Sequence, residues 1–420
     1  MRAACSRRAV LRAAALGCGI AAAPNLAFGR CEVAGSLEPV MVSTRAVDLV
    51  LENAVVDLLG LLTLDWKKLF GWQDGRGTAL FGRCDYEALS ASGVRFFVPA
   101  VEAGGGANAR RQVSAWLDGW QELVRRDSCF LRPIESARDL VPGRIGVLVG
   151  FQNSTHFEEV NDVDEFFRRG QRLSQLTYNA RNALGSGCRV SDDLGLTPFG
   201  AEVVGRMNEL GMAVDVSHCG HRTTLEAIDA SREPVLATHT NCRALNPGQP
   251  RCKSDEELRA IARRGGVVGM TVVRAFVSAR GRASKDDLLD HFDHAIRLVG
   301  PGHVALGTDA DYQPVTRLAY SLVGLDPVAR VFQITDGLLT RGHLPADVGL
   351  VLGENALRVL GAVLPNGGRA PQRDPFCELT PRRAPHGVVR ATPERVSAQR
   401  WERPSPSARN SRRLPKQSEA

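Results

Sequence analysis

Eight short runs of apolar and β-branched residues recur along the chain, and longer stretches with the spacing of amphipathic helices separate them. The runs cover residues 54–59, 94–99, 145–150, 173–177, 212–217, 234–238, 266–272 and 303–308. Strands that alternate with helices form parallel sheets, and eight such units are the number that closes a barrel. The sequence therefore predicts an α/β protein with a single catalytic domain, a (β/α)8 TIM-type barrel over residues 31–368.

Local signals mark the ends of two of the intervening helices. Thr197 followed by Pro198 is typical of an N-cap and first helical residue, and Gly211 is typical of the end of the same helix. Ser254 followed three residues later by Glu257 is a capping box. We therefore expect one helix to begin after Thr197 and another after Ser254.

Polar residues follow most of the predicted strands. Gln152, Tyr178, His218, His239 and Asp309 come after the third, fourth, fifth, sixth and eighth runs. Parallel barrels carry their chemistry at the C-terminal ends of the strands. A single histidine at such a position is more often a hydrogen-bonded structural residue than a ligand. Two histidines and an aspartate at equivalent positions of one barrel favour a metal-hydrolase site.

The first thirty residues predict an export signal. Arg7 and Arg8 precede an uncharged, alanine-rich stretch over residues 13–29, which is typical of a twin-arginine signal peptide. This stretch is too short and too rich in Ala and Gly for a membrane span. We therefore expect residues 1–30 to be a signal peptide and the protein to be periplasmic. The alternative is a cytoplasmic protein with a basic N-terminus.

The basic charge of the chain lies mostly at its two ends. Residues 369–420 are rich in Pro, Arg and Ser without periodic apolar residues, which predicts a disordered tail. This tail has 12 basic and 5 acidic residues, and residues 1–30 have 5 arginines and no acid. Residues 31–368 are left with 36 basic and 41 acidic residues, a net charge of −5. We therefore expect no nucleic-acid partner for the folded domain.

Other patterns in the sequence carry less weight. His291 and His294 have a spacing that can chelate a metal on a helix, but they lie in mid-helix, which favours a structural or surface role. Residues 102–106 form a glycine-rich loop that lacks the lysine of a P-loop, and no Gly-x-Ser-x-Gly elbow is present. The cysteines include no CxxC pair, so any disulfide pairing stays open.

The order of several motifs resembles the membrane (renal) dipeptidase family of zinc metallopeptidases, which are amidohydrolase-like. The matching segments are residues 195–200 (GLTPFG), 208–212 (NELGM), 215–218 (DVSH), 234–239 (PVLATH), 303–311 (HVALGTDAD) and 353–360 (GENALRVL). The resemblance covers roughly residues 45–365. It implies a (β/α)8 barrel in which two zinc ions, bridged by a glutamate and a hydroxide, cleave the peptide bond of a dipeptide.

The resemblance also implies roles for single residues. His218 and His239 fall on the two histidine ligands of the second zinc ion. Arg251 falls on the arginine that grips the substrate carboxylate, for which a guanidinium group is well suited. Asp309 falls on the aspartate that carries a proton or orients the substrate amine. Because members of the family often dimerise, the resemblance is compatible with a homodimer.

Several positions depart from the family pattern. The two first-zinc ligands of the first strand, a histidine and an aspartate, are replaced by Leu59 and Leu61. The bridging glutamate is replaced by Gln152, a weak metal ligand, and a substrate-polarising histidine by Tyr178. The first zinc site is therefore expected to be dismantled, so that one zinc ion is favoured over two.

Nearby groups offer an alternative account of the first site. One of three side chains that lie close in sequence to the replaced ligands could bind the first ion instead: Asp57, Asp65 or His156.

Asp215 either hydrogen-bonds near His218 or has a purely structural partner.

Two hypotheses for the function remain. The first is an exported zinc-dependent dipeptidase-like hydrolase that cleaves a dipeptide or a related amide bond by metal-activated water. It is favoured because the histidine pair, Arg251 and Asp309 occur together. The second is a catalytically diverged or inactive periplasmic barrel that binds a peptide-like ligand or assists the maturation of a natural product.

Overall fold

The structure, a computed structural model, describes residues 30–33, 36, 39–61, 83–102, 104, 108–312 and 322–367. The predicted signal peptide, except Arg30, and the predicted tail lie outside these residues, and so does Asp65. Within the described part of the chain, no helix is long and apolar enough to cross a membrane.

Most strands are only two to five residues long. In chain order they are β1 (Arg30–Glu32), β2 (Met41–Ser43), β3 (Val56–Asp57), β4 (Gly60–Leu61), β5 (Phe96–Phe97), β6 (Ala100–Val101), β7 (Leu131–Pro133), β8 (Ile145–Val147), β9 (Gly150–Phe151), β10 (Leu173–Gln175), β11 (Ala213–Asp215), β12 (Leu236–Thr240), β13 (Val267–Met270), β14 (Val304–Leu306) and β15 (Ala310–Asp311).

Helices follow most of the strands. They are α1 (Thr44–Glu52), α2 (Arg83–Ala91), α3 (Ala109–Arg126), α4 (Asp162–Arg168), α5 (Pro198–Leu210), α6 (His221–Ala230), α7 (Asp255–Arg263), α8 (Arg274–Val277), α9 (Lys285–Val299), α10 (Arg330–Thr340), α11 (Pro345–Gly349) and α12 (Asn355–Val363).

The parallel strands close into a barrel. Four of the eight barrel strands are each divided into two short segments, namely β3 and β4, β5 and β6, β8 and β9, and β14 and β15. Along one side of the barrel, β3 pairs with β5, β5 with β8, β6 with β9, and β9 with β10. Pairings then run from β10 through β11, β12 and β13 to β14, which returns to β3. Each of the eight predicted runs overlaps one of these strands, so the predicted barrel is confirmed.

Alternation along the strands separates two apolar cores. Side chains such as Phe96, Leu148 and Leu236 fill the barrel interior, which α12 closes with Val359 and Val363. A second cluster lies between the outer face of the strands and the surrounding helices. Because successive side chains of a strand point to opposite faces, the barrel strands contribute apolar side chains to both clusters.

Two glycines allow a close approach of strands near the histidines. A Cβ atom on Gly269 or Gly307 would collide with the carbonyl oxygen of Thr238. Only glycine therefore lets the seventh and eighth barrel strands pack this close to the sixth, at the point where that strand presents His239.

The helix ends follow the predicted capping chemistry. Thr197 Oγ1 accepts a hydrogen bond of 2.9 Å from the Gly200 backbone N–H, and the helix ends at Gly211 with a φ of 79°. The Ser254 capping box is complete, since Ser254 and Glu257 accept each other's backbone N–H. These caps set the first turns of α5 and α7, which flank the fifth and sixth strands.

Candidate active site

Two histidines meet at the C-terminal ends of neighbouring strands. His218 follows β11 by three residues, and His239 lies within β12. Their Nε2 atoms are 3.1 Å apart. The ring of Tyr178, which follows β10, stacks on His218 with a centroid distance of 4.1 Å and an interplanar angle of 23°. The strand ends therefore bring three of the predicted site residues into direct contact.

The opposite nitrogen of each histidine ring has its own partner. The Nδ1 atom of His218 lies 2.9 Å from Asn179 Oδ1, and that of His239 lies 2.8 Å from Thr238 Oγ1. The Thr238 hydroxyl donates a 2.6 Å bond to Asp215. Asp215 therefore reaches His239 through Thr238 and does not hydrogen-bond to His218. Both Nε2 atoms are left facing one another.

The electrostatic surroundings keep both rings neutral. Burial lowers the pKa of His218 and of His239 well below 6.5, and the charge of Arg251 lowers both further. Burial also raises the pKa of Asp215, against four hydrogen bonds from Ser217 and Thr238 that favour its ionised form. Neutral imidazoles with free Nε2 atoms are the form in which histidine binds a metal ion.

Arg251 is almost fully buried behind the histidine pair. Its Nη1 donates to the Ser217 carbonyl and its Nη2 to the His239 carbonyl, each at 2.5 Å. Its Nε atom is buried without a hydrogen-bond partner, and the guanidinium lies 5.3 Å from the centroid of the Phe276 ring. Arg251 thus ties together the backbones that carry the two histidines, and its Nε–H group is not used in this contact.

Asp309 lies where the eighth strand is interrupted. Among the described residues it is the only non-glycine residue with a positive φ, at 53°, and its backbone N–H donates a 2.7 Å bond to Leu59 O. Burial raises its pKa to about 7; the charge of Arg251 acts in the opposite direction, and that of Asp57 raises the pKa further. The residue is half-buried, and its side chain has no hydrogen-bond partner within the described ranges. Asp309 is therefore placed to exchange a proton near neutral pH.

Asp57 has a structural environment. Its carboxylate accepts bonds from the Thr308 backbone N–H at 2.7 Å, the Thr308 hydroxyl at 2.6 Å and the Tyr312 hydroxyl at 2.7 Å. Burial raises the pKa of Asp57, and Arg330 acts in the opposite direction. With its oxygens occupied in this way, Asp57 joins the first and eighth strands beside Asp309.

The residues at the other predicted ligand positions are packed into the protein. Leu59 is fully buried in the apolar interior cluster, and Leu61 is 6% exposed. The Gln152 Nε2 donates a 2.8 Å bond to the Ala100 carbonyl. Within the described ranges, no group of three or more His, Cys, Asp or Glu side chains could hold a metal ion.

The other histidines of interest lie in structural surroundings. The Nε2 of His156 bonds to Gln171 at 3.0 Å, and its ring contacts Phe157 and Phe166. Burial lowers the pKa of His156 to about 3. His291 bonds to backbone atoms of Cys242 and Val277, as the sequence favoured. His156 therefore has partners that do not involve the histidine pair.

A cleft with a volume of about 290 Å³ lies beside the segment that follows His218. Its wall includes Cys188, Asp193, His221 and Arg243 and none of the predicted site residues. The Cys188 backbone N–H donates to the His218 carbonyl at 2.7 Å, so the wall of the cleft is bonded to the strand end that carries His218.

A family model described as membrane dipeptidase, peptidase family M19, matches residues 44–372. The chain belongs to the membrane dipeptidase family. An amidohydrolase from Pseudomonas aeruginosa, whose structure is solved, has 28% identity and a TM-score of 0.62, and the match covers 76% of this chain and 99% of that one. A metallopeptidase from Rhodobacter sphaeroides, bound to a phosphinate mimic of L-Ala-D-Ala, has 18% identity and a TM-score of 0.62 over 74% of this chain and 99% of that one, which shows a shared fold.

Two curated relatives extend this comparison. An uncharacterized protein from the pqqA 5′ region of Klebsiella pneumoniae is 33% identical over 206 residues, which cover 46% of this chain and 76% of that protein. An uncharacterized dipeptidase of Schizosaccharomyces pombe is 28% identical over 256 residues, and the match covers 58% of this chain and 60% of the yeast protein. The fold and the family are thus those of dipeptidase-type hydrolases, which implies a metal cofactor in general.

The donor atoms of this dipeptidase-family site fit half of a two-metal centre. Zinc–nitrogen bonds of 2.0–2.1 Å in a tetrahedral site place two ligand nitrogens about 3.3 Å apart. The Nε2 atoms of His218 and His239, at 3.1 Å, are close to that separation. The positions of Leu59 and Leu61 offer no donor atom. The histidine pair would therefore supply two of the ligands of one ion, and the first strand would supply none for a second ion.

Sequence reasoning missed the partners of the two histidine rings. Asn179 directly follows Tyr178, and Thr238 directly precedes His239. Each is a polar residue adjacent to a singled-out site residue, which is a usable signal. The Asn179 pairing does not follow from sequence spacing, because its side chain meets His218 only when neighbouring barrel strands align, whereas the Thr238 pairing lies within β12.

Proposed function

We propose that this chain is an exported, zinc-dependent dipeptidase-like hydrolase that uses one metal ion held by His218 and His239. The observation that carries the proposal is the convergence of the two Nε2 atoms at 3.1 Å while both Nδ1 atoms are bonded elsewhere. Neutral imidazoles present lone pairs, and a cation that binds between two lone pairs at this distance relieves their mutual repulsion. Zinc, when bound, acts as a Lewis acid that polarises the scissile carbonyl and activates water.

Asp309 supplies the proton-transfer group. Its pKa of about 7 means that the carboxylate and the carboxylic acid are both populated at neutral pH. A general base is most effective when its pKa lies near the working pH. Asp309 therefore accepts a proton as the amide is attacked and returns it to the leaving amine.

Arg251 and Tyr178 bind and orient the substrate. Arg251 is 2% exposed and has no carboxylate partner in the described part of the chain, although a buried charge is costly without one. Two of its five N–H groups hold the backbone, and the remaining ones, which include the unpartnered Nε–H, are the donors that we assign to a substrate carboxylate. Tyr178 covers one face of His218 and limits access to it. These features support a dipeptide with a free C-terminus as the substrate.

Export and zinc loading belong to the same proposal. The arginine pair and alanine-rich stretch of the first thirty residues support twin-arginine export, which moves proteins that have already folded. Cys129 is disulfide-bonded, which suits an oxidising compartment. Under this proposal the ion is bound before the protein reaches the periplasm.

The second hypothesis also has an observation in its favour. Leu59, Leu61 and Gln152 leave two imidazoles, whereas catalytic zinc sites usually have three protein ligands. A barrel that binds a peptide-like ligand without cleaving it, or that assists natural-product maturation, would need no metal. Metal-dependent turnover separates the two functions.

The test is hydrolysis of a panel of dipeptides by the purified full chain with and without added Zn²⁺. His218→Ala and His239→Ala should each abolish the zinc-dependent turnover. His343→Ala, which removes a half-buried histidine paired with Asp293, is the matched control and should retain it. Turnover that survives both site substitutions would refute the proposed site. Dipeptide binding without metal or turnover would establish the second hypothesis.

A further inference from the structure

Both histidines have hydrogen-bond partners that fix which ring nitrogen carries the hydrogen atom. We infer that Asn179 and Thr238 are positioning residues that hold His218 and His239 in the Nδ1–H tautomer, so that both Nε2 lone pairs point into the site. This inference rests on the proposed function, because it explains how the chain prepares the two ligands of that site.

Asn179 fixes the position of the hydrogen atom on the His218 ring. Its Nδ1 lies 2.9 Å from Asn179 Oδ1, and an amide oxygen can only accept. The Cys188 thiol donates to the same oxygen at 3.5 Å. The thiol is a donor that does not depend on the His218 tautomer, and it orients the Asn179 amide with its oxygen toward His218. The hydrogen of the neutral His218 ring must then be on Nδ1.

Asp215 and Thr238 fix the position of the hydrogen atom on the His239 ring. The Asp215 carboxylate accepts from two backbone N–H groups, at 2.9 Å from Ser217 and 3.1 Å from Thr238. It also accepts from both hydroxyls of these residues at 2.6 Å. The single hydroxyl hydrogen of Thr238 is therefore used on Asp215. Thr238 Oγ1 can only accept from His239 Nδ1, which lies 2.8 Å away.

Both Nε2 lone pairs are therefore directed into the site. Each ring carries its hydrogen on the side away from the other, and the bare Nε2 atoms lie 3.1 Å apart. Without Asn179 and Thr238, one ring could place its hydrogen on Nε2 and donate to the other ring. That neutral hydrogen bond would remove the lone pair that a metal ion needs.

The direct test is the tautomer of each ring in the metal-free full chain, read from ¹⁵N shifts of labelled histidines. Spectra of His218→Ala and His239→Ala assign the signals. We expect a protonated Nδ1 and an unprotonated Nε2 in both rings. A hydrogen on Nε2 of either ring would overturn the inference. If the chain binds no zinc, the proposed function fails, yet the tautomers still decide this inference separately.

Substitutions supply a second readout. Asn179→Ala should allow His218 to populate both tautomers and should weaken Zn²⁺ binding about 10-fold to 100-fold. Asn179→Asp keeps an acceptor at the same place and should keep the Nδ1–H tautomer. Thr238→Val should shift His239 in the same way, and Thr238→Ser should not.

The matched control is Asn208→Ala, which removes a half-buried amide bonded to Ser231 on the flank of α5. It should change neither the tautomers nor the zinc affinity. Near-UV circular dichroism confirms that each variant is folded. An Asn179→Ala variant that is folded and binds zinc within twofold of the parent chain would overturn the inference.

Discussion

A buried ion pair behind the site allows a stability prediction of defined size. Lys253 is 1% exposed and Glu257 is fully buried. Lys253 Nζ lies 3.0 Å from Glu257 Oε1 and donates to the Cys219 carbonyl at 2.8 Å and the Thr224 hydroxyl at 2.6 Å. The pair thus joins the start of α7 to the segment that follows His218. Removing one of the two charges should destabilise this corner of the barrel mouth.

The structure gives the magnitude of the effect. Burial acts to raise the pKa of Glu257, but Lys253 and the Ser254 backbone N–H outweigh it and lower that pKa from 4.5 to about 2. One pKa unit corresponds to about 1.4 kcal/mol, so the ionised form is favoured by roughly 3 kcal/mol in the folded protein. Glutamine has the shape of the protonated acid. Glu257→Gln should therefore lower the free energy of unfolding by about 3 kcal/mol at pH 7, within the range for breaking a buried pair.

The assay is chemical denaturation of the full chain followed by far-UV circular dichroism. Glu256→Gln is the matched control, because the Glu256 side chain is 65% exposed and its partner is His221, 3.3 Å away. It should cost less than about 0.5 kcal/mol. Because the pKa of Glu257 is lowered, its contribution is complete above about pH 4.5 and is lost as the pH falls toward 2. A Glu257→Gln loss below 1 kcal/mol at pH 7, or a loss equal to that of Glu256→Gln, would refute the reasoning.

Three further predictions concern the site itself. Asp309→Asn should lower kcat/KM about 10²-fold to 10⁴-fold. In the parent chain, ionisation of the Asp309 carboxyl group should make kcat/KM rise through pH 7, and pH profiles should show that this rise is absent from the variant. Asp57→Asn removes a like charge that raises the pKa of Asp309, so the rise of kcat/KM should occur at lower pH in a variant that folds. A pH profile identical to that of the parent chain would contradict this prediction. Gln152→Glu cannot donate to the Ala100 carbonyl and should cost about 1–3 kcal/mol in a denaturation experiment without adding a second ion; increased stability in zinc would contradict this.

The barrel was predictable from sequence because its signals are local and repeated. Each strand is a short apolar run, and its residues are buried on both faces, as those of β13 are throughout. The helix caps at Thr197 and Ser254 were equally predictable, because a cap depends on residues only three positions apart. The convergence of His218 and His239 followed from the same barrel, since neighbouring parallel strands end at one edge.

The partners of these side chains were not predictable, because they come from other strands. Arg251 matches the family's carboxylate-binding arginine, yet two of its N–H groups hold the carbonyls of Ser217 and His239. Lys253 and Glu257 are four residues apart in sequence, and ion pairs at this spacing usually lie at the protein surface. Their burial depends on Cys219 and Thr224, which the fold brings in from the loop after β11 and from α6.

The most direct test of a one-ion site is the metal stoichiometry of the purified full chain. Zinc titration by calorimetry, with elemental analysis of the protein as isolated, measures the number of ions per chain. The convergence of His218 and His239 beside the packed Leu59 and Leu61 predicts one ion per chain in the parent protein and none in His218→Ala or His239→Ala. Two ions per chain, or one ion that persists in both variants, would contradict the account.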